Sequence, residues 1–309
     1  MLYNIKIFFK TMEESMKSSK SLYSQCFSEY KLDEEVLKKL QQELLKMFLD
    51  VKEVCDKNNI DYMLSGGTCL GAIRHKGFIP WDDDIDIMML RSEYEKFAKI
   101  FKAQYSEKYI LTEPLKEKKY FSKMPKIYKK DTTYVEIPNA GIHGLDMIFI
   151  DVFIIENVPD SKLLRKITGK IYDFCFKGAS VCIDYLYPSP VIEEKCKENK
   201  ELNDYYKFRK RVGWIFSHFG GIYFWLRRCE KIAKKYKNTH YLGIPSGISY
   251  EREIFDEALY KELTEAEFCG YKVKIPADYD KYLSNLYGDY MQIPSVEKRE
   301  MHVAYKIKL

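Results

Sequence analysis

The sequence predicts an α/β protein in which short strands alternate with amphipathic helices, and three observations carry that reading. Leu32, Val36, Leu40, Leu44, Met47, Phe48, Val51 and Cys55 recur at three- and four-residue spacing, which predicts one long helix ending near Asn58-Asn59. Asp84-Ile85-Asp86-Ile87 alternates charge with β-branched apolar residues, the pattern of a strand with one buried face. Ile148-Phe149-Ile150-Asp151-Val152-Phe153 reads as a second strand, apolar throughout except for its aspartate.

At 309 residues the chain can bury a sizeable core, as one large domain or a domain with an elaborate insertion. An apolar fraction of 46 % excludes wholesale disorder. A formal charge of +5 permits attraction to phosphates or an anionic membrane surface, and no nucleic-acid partner is expected from it. The eight cysteines form no C-x-x-C pair and no compact disulfide framework, which fits reduced thiols in a cytosolic enzyme. The N-terminus lacks the apolar core and cleavage site of a signal peptide, and no apolar run approaches a transmembrane length.

Taken in order, residues 1–30 are polar and rich in Ser and Lys, and form a loosely attached lead-in. After the long helix, Ile60 to Leu64 is a strand candidate, followed by Ser65-Gly66-Gly67-Thr68 and a helical run from Cys69 to His75. Glycines at a strand-to-helix turn let backbone N–H groups approach a phosphate, and the helix N-terminus favours the anion. On the next strand, residues two apart share a face and lie roughly 7 Å apart. Ile85 and Ile87 then face the core while Asp84 and Asp86 project together. Adjacent carboxylates repel unless a cation lies between them. A hard divalent ion is the matching partner, Mg²⁺ ahead of Ca²⁺ where phosphates complete its shell. Asp82 and Asp83 rank below this pair: Asp82 lies near the Pro80-Trp81 turn, and acidic residues commonly decorate solvated loops. A phosphate-cradling turn upstream of a carboxylate pair reads as a nucleotide site.

Ser92-Glu93-Tyr94-Glu95 reads as a capping box, with Ser92 as N-cap, opening a helix with Tyr94, Phe97, Ala98 and Phe101 on one side. Ile110 to Thr112 and Met124 to Tyr128 are short strand candidates, with Pro114 and Pro125 interrupting any helical alternative. Lys126 has two readings, a phosphate contact or a solvated lysine beside Lys129 and Lys130. Asp151 is costly inside an apolar strand unless paired or metal-bound. Asp146 and His143 suit a loop.

Gly66-Gly67 followed by Asp84-Ile85-Asp86-Ile87 matches the nucleotidyltransferase-fold signature. More narrowly, GGTCLGAIRHKGFIPWDDDIDI resembles the hallmark of the LicD family, to which the fukutin-related proteins also belong, almost residue for residue. The resemblance resumes at Lys126 to Thr133, Ile148 to Pro159 and about Phe255 to His302, and thins in the middle. It implies a nucleotidyltransferase-type mixed sheet with flanking helices and a helical cap or insertion. The corresponding divisions are a lead-in at 1–30, a catalytic core at 31–159, an insertion at 160–245 and the C-terminal part of the domain at 246–309.

The function implied is transfer of phosphocholine, or a related phospho-substituent, from a CDP-activated donor such as CDP-choline. The acceptor is a hydroxyl of a glycan or lipid-linked glycan of the capsule, teichoic acid or lipopolysaccharide type, and CMP is released. Asp84, Asp86 and Asp151 become the catalytic carboxylates and the ligands of Mg²⁺, with Mn²⁺ as the alternative, and Asp151 also takes the acceptor proton. Ser65, Gly66, Gly67, Thr68, Arg74, His75, Lys126, Arg299 and His302 are the implied contacts to the donor phosphates. The chain departs from the family at Tyr128, where arginine is common, and at Ile154, where a proline follows the aspartate. Two other functions stay open: a nucleotidyltransferase moving NMP from an NTP to a sugar or small molecule, and a non-catalytic membrane-peripheral or nucleotide-binding protein of glycan assembly.

From Pro159 to about Tyr241 the sequence is helical, basic and aromatic, broken at Tyr185-Leu186-Tyr187-Pro188-Ser189-Pro190. Val212 to Leu226 is too short and too Gly-interrupted to span a bilayer. One reading is a buried helical hairpin turning at Gly220-Gly221. The other is a peripheral membrane contact through 207–236, on the inner face of the plasma membrane, with Trp214, Phe216, Phe219 and Trp225 inserted and Arg227 and Arg228 toward headgroups. Toward the C-terminus, Tyr282, Leu286 and Tyr287 are expected to pack one helix onto the core.

Overall fold

The computed structural model describes residue 22, residues 26–296, residue 299 and residues 303–309. Its first helix, α1 (Glu34–Lys57), follows the predicted spacing and buries Leu40, Leu44, Met47, Phe48, Val51 and Cys55. Asp33 caps it, accepting the Val36 N–H at 2.8 Å. The lead-in is less loose at its end than expected, because Phe27 is fully buried beside Ile192 and Leu202 of the helical insertion.

The central sheet is mixed. Its strands β1 (Met63–Leu64), β2 (Asp86–Leu90), β3 (Tyr109–Thr112), β4 (Lys126–Lys129) and β6 (Phe149–Asn157) lie in the order β1-β2-β6-β4-β3. The β2–β6 pair is parallel and the other neighbours in that order are antiparallel. β7 (Tyr241–Gly243) joins the far end of β6, and β8 (Phe255–Asp256) pairs with β7. Two further pairs stand apart: β9 (Leu263–Phe268) with β10 (Tyr271–Pro276), and β5 (Thr133–Glu136) with β11 (Ala304–Lys308). The fold is α/β with a mixed sheet and flanking helices, as the sequence predicts.

Two local expectations are corrected. The strand begins at Asp86 rather than Asp84, because its ladder with β6 starts at the Asp86–Asp151 pair and β1 reaches only Ile87 and Met88. The alternation survives: Ile85 and Ile87 are fully buried while Asp84 and Asp86 are partly exposed. The capping box does not form. β2 runs directly into α3 (Arg91–Tyr105), so Leu90 takes the cap position and Ser92 already lies in the first turn. Glu93 instead accepts the Asp61 N–H at 3.2 Å.

The insertion is helical, as expected: α4 (Lys162–Leu186), α5 (Pro190–Glu198), α6 (Lys200–His218) and α7 (Gly221–Ala233). Between α6 and α7 the chain reverses at Gly220 and Gly221, whose φ angles of 132° and 71° need glycine. The hairpin turn at Gly220-Gly221 therefore forms, and the four aromatics divide between core and surface. Trp225 is buried and Phe216 packs on it at 5.1 Å, leaving Trp214 and Phe219 exposed. Among the described residues no helix is long and apolar enough to cross a membrane.

Candidate active site

Strand register sets out a row of charged side chains across the sheet. Lys126 on β4 is the lateral partner of Asp151 on β6, and Asp151 is the partner of Asp86 on β2. Lateral partners share a face and stand about 4.8 Å apart in the hydrogen-bonding direction. The Lys126 ammonium lies 3.0 Å from Asp151 Oδ1 and 3.3 Å from the centre of the Phe149 ring. Burial pulls the ammonium down, but Asp151 and then Glu136 more than offset this, and Lys126 is held above the usual lysine value. Of its two readings, the solvated lysine is excluded: Lys126 is buried and paired with the carboxylate that the sequence singled out.

The glycine turn packs against this row from the β1 side. α2 (Gly66–His75) starts at Gly66, three residues earlier than expected, so Gly66-Gly67-Thr68 form its first turn. Gly66 has φ +47°, and a Cβ there would lie 3.6 Å from Asp86 Oδ2. A Cβ on Gly67 would lie 3.1 Å from Asp82 Oδ2. The left-handed φ at Gly66 favours glycine, and a Cβ on Gly67 would crowd the Asp82 carboxylate. Ser65 N–H donates to the Asp86 carbonyl at 2.9 Å, and Asp86 N–H donates to Thr68 Oγ1 at 2.8 Å. Together these bonds fix where the Asp86 carboxylate starts from.

Ser65 and Gly66 are positioned by residues far along the chain. The Gly66 N–H donates at 3.1 Å to the hydroxyl of Tyr282, on α8 (Tyr279–Tyr287). That hydroxyl donates in turn to Glu253 Oε2 at 2.9 Å. Its single proton is then spent, so Ser65 Oγ, 3.2 Å away, is the donor to it. The Gly66 N–H and Ser65 hydroxyl therefore hold the turn in place rather than facing the ligand side. The N–H groups of Gly67 and Thr68, which have no intrahelical acceptor in the first turn, remain for an anion. Tyr282 was legible only as an apolar spacing, and nothing in Glu253's surroundings in the sequence marks it.

Tyr287 and Asp82 were also undervalued. Tyr287 exposes 42 % of its surface, yet its hydroxyl reaches the Gly66 turn. Burial of that end, then the charges of Asp86 and Asp82, push its phenol well above the ordinary value, so it serves as a donor. One carboxylate oxygen each of Asp82, Asp83 and Asp84 lies within 4.8 Å of the others. Asp83 itself is buried and accepts the Tyr134 hydroxyl at 2.6 Å, a structural bond. Cys69, inside the turn helix, is no nucleophile, because burial pushes its thiol up to about 12.

The remaining sequence candidates separate. Arg74 donates to the carbonyls of Tyr290 at 2.7 Å and Gln292 at 3.4 Å, and its Nε donates to His75 Nε2 at 3.0 Å. His75 sits edge-on to Trp81, its imidazole lowered by burial and then by Arg74. Arg74 thereby ties the C-terminal turn to α2. Arg299 stacks over Trp81 at 4.1 Å and donates to the Pro294 carbonyl at 3.2 Å. His302 lies outside the described residues. Register sets Asp86 beside Asp151, while the carboxylates whose oxygens lie close enough to share one ion are Asp82, Asp83 and Asp84; both sets are all oxygen, which suits a hard divalent cation.

Residues 59–167 match the family model described as LicD/FKTN/FKRP, nucleotidyltransferase domain. The lipopolysaccharide cholinephosphotransferase LicD of Haemophilus influenzae is 30 % identical over 256 residues, covering 81 % of this chain and 89 % of that protein. An uncharacterised protein of Rickettsia typhi is 44 % identical over 57 residues, 18 % of each chain. One of Rickettsia prowazekii is 46 % identical over 50 residues, 16 % of this chain and 19 % of that one.

Proposed function

This chain belongs to the LicD family and is a phosphotransferase; we propose that it moves phosphocholine, or a closely related phospho-substituent, from a CDP-activated donor to a hydroxyl of a cell-surface glycan. The observation that carries this reading is the row Lys126–Asp151–Asp86 standing in register against a glycine turn. A pyrophosphate-linked donor needs anion-binding backbone beside carboxylates that can hold a cation, and the glycine turn and this row offer the two.

Asp84, Asp86 and Asp151 would hold Mg²⁺ or Mn²⁺, which when bound neutralises charge on the donor pyrophosphate. The chain's own groups do the rest. The Gly67 and Thr68 N–H groups face the donor phosphates, and the Tyr287 hydroxyl donates from the opposite wall. Asp151 accepts the hydrogen bond of the attacking hydroxyl and takes its proton as the new P–O bond forms. The bond to the CMP oxygen breaks in line. Lys126, a permanent cation beside Asp151, balances the carboxylate cluster while donor and acceptor are absent. Catalysis is positioning and electrostatic stabilisation rather than covalent chemistry.

CDP-choline labelled in the phosphate next to choline separates this from nucleotidyl transfer. With purified protein, a lipopolysaccharide or teichoic acid acceptor and Mg²⁺, the label should pass to the glycan and unlabelled CMP should accumulate. Label retained in the nucleotide product, or glycan nucleotidylated from an NTP instead, would overturn the reading. No CDP-choline binding at any Mg²⁺ concentration would point to a non-catalytic member.

A further inference from the structure

The helical insertion leaves one helix face uncovered, and the pattern of that face identifies what covers it. At about 100° per residue, Leu163, Ile167, Ile171, Phe174, Gly178, Val181 and Tyr185 of α4 fall in one stripe no wider than about 80°. α6 covers the C-terminal half of this stripe. Phe216 sits 5.5 Å from Phe174, and a Cβ on Gly178 would meet the Phe216 ring at 2.7 Å. A Cβ on Gly213 would meet the Val181 carbonyl at 2.0 Å and Tyr185 at 2.8 Å. α6 then ends at His218 and the chain turns back at Gly220.

Beyond that point the stripe continues bare. Leu163, Ile167 and Ile171 are 69 %, 47 % and 50 % exposed, and Leu164 beside them is 40 % exposed. The opposite face of the same two turns is buried at Thr168, Gly169 and Tyr172, so these aliphatics point directly away from the protein. Four large aliphatics within three turns make a contiguous apolar patch of the kind that marks an interaction surface.

The charges around the patch select its occupant. Lys162, Lys166 and Lys170, all exposed, form a row on one flank of the stripe. α7 packs on the buried face of α4 through Cys229 and Tyr172, and carries exposed Arg227, Arg228 and Lys231. An apolar strip bordered by cations is the layout of a helix lying in the headgroup region of an anionic bilayer. We propose that the N-terminal half of α4, with Leu163, Leu164, Ile167 and Ile171 inserted and Lys162, Lys166 and Lys170 at the headgroups, seats this protein on an anionic membrane surface. This is a different element from the α6–α7 hairpin that composition points to, whose Phe216 and Trp225 are spent on the core. The inference is independent of which group is transferred.

The test is sedimentation of the full chain with vesicles of phosphatidylcholine alone or with about 30 % phosphatidylglycerol. Wild type should pellet with the anionic vesicles and be released between about 0.1 and about 0.5 M salt. Ile167→Asp/Ile171→Asp and, separately, Lys162→Glu/Lys166→Glu/Lys170→Glu should each lower the bound fraction at least about tenfold. Their melting temperatures should match wild type, since the altered side chains are exposed, and CMP release with a soluble acceptor should be unchanged. Absence of wild-type binding to anionic vesicles overturns the proposal. So does binding that survives both α4 variants but is lost in Trp214→Ser/Arg227→Glu/Arg228→Glu, which would return the contact to the hairpin. Light scattering that shows a dimer broken by Ile167→Asp/Ile171→Asp, with no vesicle binding, would assign the patch to a second copy and overturn it as well.

Discussion

Lys126 and Asp151 face each other across antiparallel strands with Nζ 3.0 Å from Oδ1, and their side chains are only 11 % and 13 % exposed. Lys126 is thus the resident counter-charge of the carboxylate row. Replacing it with Met leaves Asp151 beside Asp86 with that charge gone. The expected loss is about 3 kcal/mol, near the lower end for breaking a buried pair. Added Mg²⁺ should restore more stability to Lys126→Met than to wild type, because the ion supplies the missing positive charge. Thermal melts with and without Mg²⁺ read this directly, and equal Mg²⁺ responses would remove Lys126 from the role.

The carboxylates themselves should separate folding from turnover. Asp86→Asn and Asp151→Asn keep shape and hydrogen-bonding reach while removing charge. Asp86→Asn should melt within a few degrees of wild type and Asp151→Asn lower, since it takes the counter-charge from buried Lys126; CMP release should fall in both by about 10² or more, on the order of 3 kcal/mol of barrier. Mg²⁺ affinity measured calorimetrically in the presence of CDP-choline should fall in parallel. Unchanged turnover in both would leave the fold and take away the mechanism.

Tyr282→Phe tests whether the glycine turn is held from behind. The substitution leaves the Gly66 N–H, the Ser65 hydroxyl and Glu253 without their common partner. About 1–3 kcal/mol of stability should go, the cost of unsatisfied buried polar groups. The signature of positioning is kinetic: the donor KM should rise several-fold while the acceptor KM stays put. A fall in stability with both KM values unchanged would make the contact purely structural.

Glu253 gives a pH dependence with a definite sign. Burial raises its carboxyl, and the Tyr282 hydrogen bond only partly opposes this. The folded state therefore holds the proton more tightly than the unfolded chain. That contribution is complete below the ordinary glutamate value of about 4.3 and is lost as pH rises through the folded value. Glu253→Gln keeps an acceptor for Tyr282 and has nothing to titrate. Its melting temperature relative to wild type should climb as pH goes from about 4 toward neutrality. A flat difference across that range would mean the group does not titrate between folded and unfolded states.

The local chemistry of the site was legible where it depended on near neighbours. The Asp84–Ile87 alternation, the Gly66-Gly67 turn and the polar Asp151 in an apolar strand each follow from periods of two residues or from the cost of burial. What could not be read was register. Nothing in the sequence says that Asp151 aligns with Asp86 on one side and Lys126 on the other, and that alignment gives Lys126 its ion-pair partner. Nor could the sequence show that Arg74 donates to the carbonyls of Tyr290 and Gln292, more than two hundred residues away. The Ser92 cap failed because a strand passing straight into a helix leaves no loop residue to act as cap.

The hydrogen bond from Gly66 to Tyr282 joins residues 216 positions apart. On a chain made from its N-terminus, the turn, Asp84, Asp86 and Asp151 all emerge long before the group that sets the turn's shape. A nascent or truncated chain ending before about residue 253 would hold every carboxylate and lack the brace. Contacts of such long sequence separation also carry the largest closure entropy, so they form late and cooperatively. A fragment that ends before the Tyr279–Tyr287 helix therefore carries Asp84, Asp86 and Asp151 without the hydroxyl that holds the Gly66 turn.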